Sequence, residues 1–576
     1  MGNGNDMAIS NALTRHYENI RKTDKRPNVL IIMTDQQRYD TINSLGYNYM
    51  TTPNLDKLVE EGCSYTNAYT TNPICCPARH TFFSGLSSLE HGIADNDFEA
   101  RLSPDIVTFP RILSQGGYIT EAIGKMHFQP MREHHGFQRL KLMEEVPENR
   151  YEDDYLCYLR DNGYGHIQNI HGVRNLLFLQ PQQALVPKEH HGTTWVTDRA
   201  IDFIDANSGV KPFLLYLSYI APHPPFNSYA EYSDLYKDMV LNETKTSETP
   251  LHCMTEENIM FGDVHEEKYL RRIKEVYFGM ISHIDEQIGR LLTSLDDNGQ
   301  LDNTMIIFTT DHGEMLGDYD CYQKFLPYDS CSKIPMIIRY PKVFEKGSKN
   351  EAFADLSDIY PTVLDVTGLD YTGKHTLIGE SLMATEKKKR RDVQYYSYSV
   401  GSRRWCCIRN KQFKYIYHYG GGEEFLFDMI NDPNEGNNLL WGDISPKVSK
   451  IRDALKPILI DYEKKQWQAE YTTDNDFVRL DPYVPAATRN KAFPQFTRVL
   501  KKQSEIEVMN DFVDEVILAY QNEEVVNLND LDIEAWQKNS QLSNEDVKRA
   551  IEKNYRSKTD SFLVYKYIRI NKDRII

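Results

Sequence analysis

Three stretches of the chain are almost continuously apolar, and two of them end in an aspartate. Residues 28–35 read Asn-Val-Leu-Ile-Ile-Met-Thr-Asp, residues 213–220 run from Phe213 to Ile220, and residues 304–311 read Thr-Met-Ile-Ile-Phe-Thr-Thr-Asp. Runs of this length and composition predict strands buried on both faces, as in a parallel sheet. Residues 118–123 predict a fourth strand. Between them the period changes. Residues 53–62, 108–116 and 193–206 carry helical spacing. Residues 266–295 predict a long amphipathic helix, with Ile273, Val276, Ile281, Ile284, Ile288 and Leu291 on one face.

Alternating strands and helices of this kind predict an α/β domain over residues 27–391, a large, mostly parallel sheet sandwiched by helices. Residues 1–26 read as an N-terminal arm. Residues 129–190 lack periodicity and read as a long insertion over the site. Beyond residue 391 the texture changes. Strand-like stretches at 392–398, 405–417 and 424–428, a triple-glycine turn at 420–422 and a helix at 445–466 predict a smaller antiparallel sheet with a packed helix, residues 392–469. Residues 470–576 form an extension with helices expected at 503–522 and after Ser543. Their apolar faces predict a role in packing or oligomerisation.

Charge and cysteine usage narrow the partners. The 576 residues carry a net charge of −18, which argues against nucleic acid and against an anionic membrane surface. No run is long and apolar enough to span a bilayer. Nine cysteines over so long a chain do not suggest a disulfide framework. The N-terminus lacks an apolar signal region, which predicts a cytoplasmic location, or a periplasmic one where a leader has been replaced.

The chemistry gathers at strand ends, where open α/β sheets place their ligands. Asp35-Gln36, Lys125 with His127, His223 and Asp311-His312 each follow a predicted strand. Converging carboxylates beside an imidazole and an amide require a cation, and oxygen-rich ligation favours calcium, magnesium or manganese. A second feature is Cys75-Cys76-Pro77-Ala78-Arg79. Proline suits the first turn of a helix, so the cysteines sit at a loop-to-helix junction near unpaired backbone N–H groups. Arg79 adds a fixed positive charge one turn on. The alternative is a pair of small buried hydrophobes ahead of a helix.

Cys75-x-Pro77-x-Arg79 followed by Ser84-Gly85 resembles the signature of the type I sulfatases, members of the alkaline-phosphatase-like superfamily. The resemblance extends over residues 27–440. Asp35-Gln36-Gln37-Arg38 and Asp311-His312-Gly313-Glu314 resemble the two metal motifs, Gly124-Lys125-x-His127 the central Lys/His pair, and Pro222-His223-x-Pro225 the leaving-group histidine. Lys324 falls where the family places a sulfate-binding lysine, and residues 424–439 resemble a C-terminal family stretch. The resemblance implies that a formylglycine-generating enzyme oxidises Cys75 to formylglycine. It further implies that Asp35, Gln36, Asp311, His312 and residue 75 hold one divalent metal, calcium before magnesium or manganese. Arg79, Lys125 and Lys324 would hold the sulfate oxygens, His223 would protonate the leaving oxygen, and His127 would take the proton that releases sulfate.

The implied substrate is a sulfate monoester, of a small molecule or of an oligosaccharide, since the polar and aromatic 129–190 insertion suits a hydroxylated ligand. His191, just ahead of a helix near the site, is a further candidate for substrate contact. Gln36 and His312 stand where many sulfatases carry aspartate and asparagine. They occur together in phosphonate monoester hydrolases, which keeps a phosphonate or phosphodiester hydrolase open. A binding protein with an unconverted Cys75 is the non-enzymatic reading.

Overall fold

The structure is a computed structural model. It describes residues 26–483 apart from 98–99, 148–150, 166, 168–169, 173–178, 180, 256–266, 384–389 and 467–468. The large sheet is built from β1 (Asn28–Thr34), β2 (Cys63–Tyr69), β3 (Ile119–Gly124), β4 (Arg139–Leu142), β6 (Phe213–Ser218), β8 (Thr304–Thr310), β9 (Met336–Arg339) and β10 (Ser348–Asp355). Their order is β10-β2-β9-β8-β1-β6-β3-β4, and the two-residue strands β5 (Gln182–Gln183) and β7 (Asn227–Ser228) form a separate ribbon. Strand β9 runs antiparallel to both its neighbours, and every other pairing in the large sheet is parallel.

The apolar run of β1 explains its central place. Its residues alternate between two cores: Leu30 and Ile32 face one layer, Val29, Ile31 and Met33 the other. The first layer holds the helices Pro53–Glu61, Gly192–Asn207 and Glu267–Asp297. The second holds Cys75–Ser84, Phe109–Gln115 and Ile359–Thr367. On the long helix, Ile273, Ile281, Ile284, Ile288 and Leu291 are fully buried. Each such side chain contributes about 1.5–3 kcal/mol of transfer free energy against the chain's conformational entropy. The mixed, helix-covered sheet is the expected α/β class.

Two expectations are corrected. The 129–190 stretch is not a structureless insertion, for it supplies β4 at the sheet edge and the helix Asp154–Asp161, N-capped by Asp153. Its polarity concealed them because an edge strand of four residues and a two-turn helix each bury little. Strands β2, β9 and β10 were not predicted, and β2 (Cys-Ser-Tyr-Thr-Asn-Ala-Tyr) is too polar to read as a buried strand.

The second sheet contains β11 (Gln394–Tyr398), β12 (Trp405–Arg409), β13 (Phe413–His418) and β14 (Glu423–Asp428), antiparallel in sequence order. The helix Pro446–Gln466 covers one face through Leu455, Leu459 and Ile460. The other face, with Trp405, Cys407, Ile416 and Phe425, packs on Ile74 and Leu326, neighbours of Cys75 and Lys324. Among the described residues no helix is long and apolar enough to cross a membrane. The helices expected beyond residue 500 and most of the N-terminal arm lie outside the described residues.

Candidate active site

Parallel register brings the polar strand ends together. Thr34 pairs with Thr310, and Gly124 with Ser218, so the residues that follow emerge along one edge. Gly124 has φ +100°, and a Cβ there would lie 1.9 Å from Ser218 O. Only glycine permits that approach, and it sets where Lys125 leaves the strand. Gln36 and His127 themselves sit at φ +65° and +59°. Left-handed backbone at non-glycine residues costs about 1–3 kcal/mol and collects at functional sites.

Asp35, Cys75, Asp311 and His312 form one fully buried cluster whose ligand atoms all lie within 4.8 Å of one another. Cys75 Sγ is 3.3 Å from His312 Nε2 and 3.8 Å from Asp35 Oδ1. His312 Nδ1 sits 3.0 Å from Gly313 O, so Nδ1–H donates there and Nε2 faces the cluster. Gln36 hydrogen-bonds Glu314 through its amide nitrogen, and its buried amide oxygen has no hydrogen-bond partner. Two carboxylates, an imidazole nitrogen and an unsatisfied amide oxygen make a donor set that fits a hard divalent cation.

Three cations surround this cluster. Lys324 Nζ lies 2.9 Å from Cys75 Sγ, and Lys125 Nζ lies 2.6 Å from Asp35 Oδ2. Arg79 Nε donates to Asp311 Oδ2 at 2.9 Å and Nη2 to Asp35 Oδ2 at 3.2 Å. Its Nη1 is fixed by Lys125 O and Ser218 Oγ. Burial and Asp35 oppose a thiolate at Cys75, but Lys125, Lys324 and His312 outweigh them and draw its pKa well below the ordinary value. Burial likewise opposes charge on Asp35. Lys125, His223, Lys324 and Arg79 together hold it well below the usual carboxylate range. The site is therefore built to accept an anion beside residue 75.

Glu145, which the sequence reading did not single out, joins the two remaining candidates. Its Oε2 is 2.8 Å from Lys125 Nζ and 3.6 Å from His223 Nε2. Burial draws the His223 pKa well below its ordinary value, against the pull of Glu145. The neighbouring Glu144 accepts hydrogen bonds from the backbone N–H of Met126 and His127, at 2.8 and 3.0 Å, and so holds the left-handed turn. Asn96 accepts from the Cys76 N–H at 2.9 Å, tying a free helix-end donor. Glu314 lies inside the Asp311–Glu314 motif, where the sequence reading gave it no role of its own; Glu144 and Glu145 carry no local signal.

His191 N-caps the helix Gly192–Asn207 by accepting from Thr193 N–H, and its half-buried ring packs on Tyr229 and His283. These contacts are those of a helix cap within a histidine–tyrosine cluster.

A mostly parallel sheet whose strand ends gather Asp35, Asp311, His312 and Cys75 beside Arg79, Lys125 and Lys324 is of the alkaline-phosphatase-like class. Comparison with known proteins narrows the class. The sulfatase family model matches residues 27–369, and the model for the C-terminal part of N-sulphoglucosamine sulphohydrolase matches residues 317–465. An arylsulfatase of Clostridium perfringens is 32% identical over 482 residues, 79% of this chain and 98% of that protein. An N-acetylglucosamine-6-O-sulfatase of Bacteroides thetaiotaomicron is 28% identical over 73% of this chain and 83% of its own length. Among solved structures, the phosphonate monoester hydrolase of Agrobacterium radiobacter superposes with a TM-score of 0.66 at 23% identity, over 79% of this chain and 100% of that one. The chain belongs to the sulfatase family, and it is a sulfuric ester hydrolase.

Proposed function

We propose that the protein hydrolyses a sulfate monoester of a carbohydrate, using a formylglycine made from Cys75 by a formylglycine-generating enzyme. The observation that carries this reading is the placement of Cys75 Sγ at the helix N-terminus, 2.9 Å from Lys324 Nζ and 3.3 Å from His312 Nε2. The sugar assignment draws support from the similarity to an N-acetylglucosamine-6-O-sulfatase.

Asp35, Gln36, Asp311 and His312 would hold the divalent metal, calcium before magnesium or manganese, with residue 75 beside it. Bound there, the metal supplies Lewis-acid polarisation of a sulfate oxygen and of the nucleophile. Lys125, Lys324 and Arg79 set the charge that receives the sulfate. Arg79 acts from behind the two aspartates, since its guanidinium is fully spent on Asp311, Asp35, Lys125 O and Ser218. His223, with Lys324, is the group to donate a proton to the leaving oxygen; burial disfavours the imidazolium, and Glu145 offsets part of that cost. His127, held by Glu144 beside the cysteine pair, is the group to accept a proton as sulfate departs.

Peptide mapping after co-expression with the maturation enzyme tests the reading. A loss of about 18 Da at Cys75 and not at Cys76, thiol to aldehyde, is the expected result. Turnover of nitrophenyl sulfate should accompany it. Unmodified thiols at both positions, despite an active maturase, would remove the nucleophile from this proposal. The second reading, a phosphonate monoester hydrolase, draws on Gln36 and His312 standing in the cluster. A phenylphosphonate monoester hydrolysed faster than nitrophenyl sulfate would favour it.

A further inference from the structure

Away from Cys75, the hairpin β13–β14 and the segment around residue 253 bring a thiol, two imidazoles and a carboxylate together. His418 and Glu423 are cross-strand partners on either side of the Gly420–Gly422 turn, so they stand on one face of the sheet. Cys253 Sγ lies 3.3 Å from His418 Nδ1 and 3.5 Å from its Nε2, and also hydrogen-bonds Glu423. His252, one residue earlier, packs edge-on against the His418 ring with centroids 4.8 Å apart. The ligand atoms of His252, Cys253 and His418 lie within 4.8 Å of one another. His418 Nδ1 is 2.8 Å from Gly420 O, so Nδ1–H donates to that carbonyl and Nε2 keeps a lone pair. This is the outer hydrogen bond that fixes metal-binding histidines. Independently, His252 is 1% exposed, and its Nε2 has no hydrogen-bond partner. A buried polar atom left unsatisfied costs about 1–3 kcal/mol. Because Nδ1 accepts from Met254 N–H, Nε2 carries the ring proton and becomes a ligand only after the proton moves to Nδ1.

We propose that His252, Cys253 and His418, with Glu423 hydrogen-bonded to the thiol, form a second metal site, selective for zinc or a similar thiolate-seeking divalent ion and distinct from the catalytic cluster. A thiolate and two imidazoles suit zinc, whose fourth position is left for Glu423 or water, whereas calcium and magnesium take oxygen ligands. The balance of the binding step is explicit. The Cys253 thiol gives its proton to solvent. His252 moves its proton from Nε2 to Nδ1 and gives up the 3.2 Å hydrogen bond from Met254 N–H. No electron is transferred. The site would staple the chain before residue 256 to the C-terminal hairpin. Trp405, which pairs with His418 across β12–β13, donates its indole N–H to Phe325 O, next to Lys324. The staple thus ends two contacts from the sulfate-binding lysine.

The test uses the full chain carrying Cys75→Ala, so that the catalytic cluster offers no thiolate. Cobalt(II) is added as a spectroscopic probe, and bound metal is counted by mass spectrometry after desalting. The expected result is a sulfur-to-cobalt charge-transfer band that zinc bleaches and calcium does not. Cys253→Ser should abolish the band, and His418→Ala should abolish or blue-shift it, with unchanged circular dichroism. Cys157→Ser, outside the cluster, should leave it intact. Absence of the band in the Cys75→Ala chain itself, or its survival in Cys253→Ser, overturns the proposal whether or not the His418 variant folds.

Discussion

Lys324 Nζ lies 2.9 Å from Cys75 Sγ although 249 residues separate them in the chain. The fold brings an ammonium to the atom that is to become the nucleophile, in a site from which water is excluded. Burial opposes the charge on Lys324, but Cys75 and Asp35 hold its pKa above the ordinary value. Lys324→Ala should therefore lower kcat/KM for nitrophenyl sulfate about 10²–10³-fold, the size of effect seen when one preorganised charge-stabilising donor is removed. Steady-state kinetics on protein with verified Cys75 conversion checks this. A loss under about fivefold would place Lys324 outside the reacting group.

Glu145 links Lys125 to His223, and this predicts a leaving-group signature. A histidine that protonates the leaving oxygen matters most when that oxygen is a poor leaving group. His223→Ala should cost about 10²–10⁴-fold on an alkyl or sugar sulfate and much less on nitrophenyl sulfate. Glu145→Gln should show the same ordering in weaker form. Equal losses on both substrates would mean that His223 binds sulfate and does not donate a proton.

The sheet centre and the strand-end chemistry were legible in the sequence because β1, β6 and β8 are buried on both faces. Such strands must be apolar throughout, and the first polar residue after each one marks the sheet edge. Asp35 and Asp311 were found in this way, and Lys125 as the first residue after β3. Glu145 was not, because it follows a short edge strand within a polar stretch, and its partners Lys125 and His223 lie 20 and 78 residues away in sequence. His191 shows the complementary ambiguity: a histidine one residue ahead of a helix is also an N-cap, and it caps the helix here.

Arg79 sets the stability of the apo site. It pairs with Asp311 and Asp35, and all three side chains are fully buried. Arg79→Met leaves two carboxylates facing each other with one cation fewer. Unfolding in urea with EDTA present should show a loss of about 3–5 kcal/mol, the cost of breaking a buried ion pair from one side. Adding the metal should recover part of it, since the aspartates then regain a positive partner. An unchanged midpoint in EDTA would contradict the assigned geometry.

Asp153 couples the pH dependence of folding to the loop that holds His127. Its carboxylate caps the helix Asp154–Asp161 through Leu156 N–H and accepts from Glu144 N–H, and Glu144 in turn holds the His127 backbone. Burial pushes the Asp153 pKa up to about 7, despite these two donors. An unfolded aspartate titrates near 3.9, so between about pH 4 and 7 the folded chain keeps a proton that the unfolded chain has lost. Stability from this group therefore falls as pH rises through that window, by about 4 kcal/mol at most, and is flat above it. Asp153→Asn resembles the protonated acid and cannot titrate. The stability of the natural chain relative to this variant, measured by urea unfolding, should thus decline from pH 4.5 to 7 and then level. A difference that stays constant or grows with pH would show that Asp153 is ionised in the folded protein throughout.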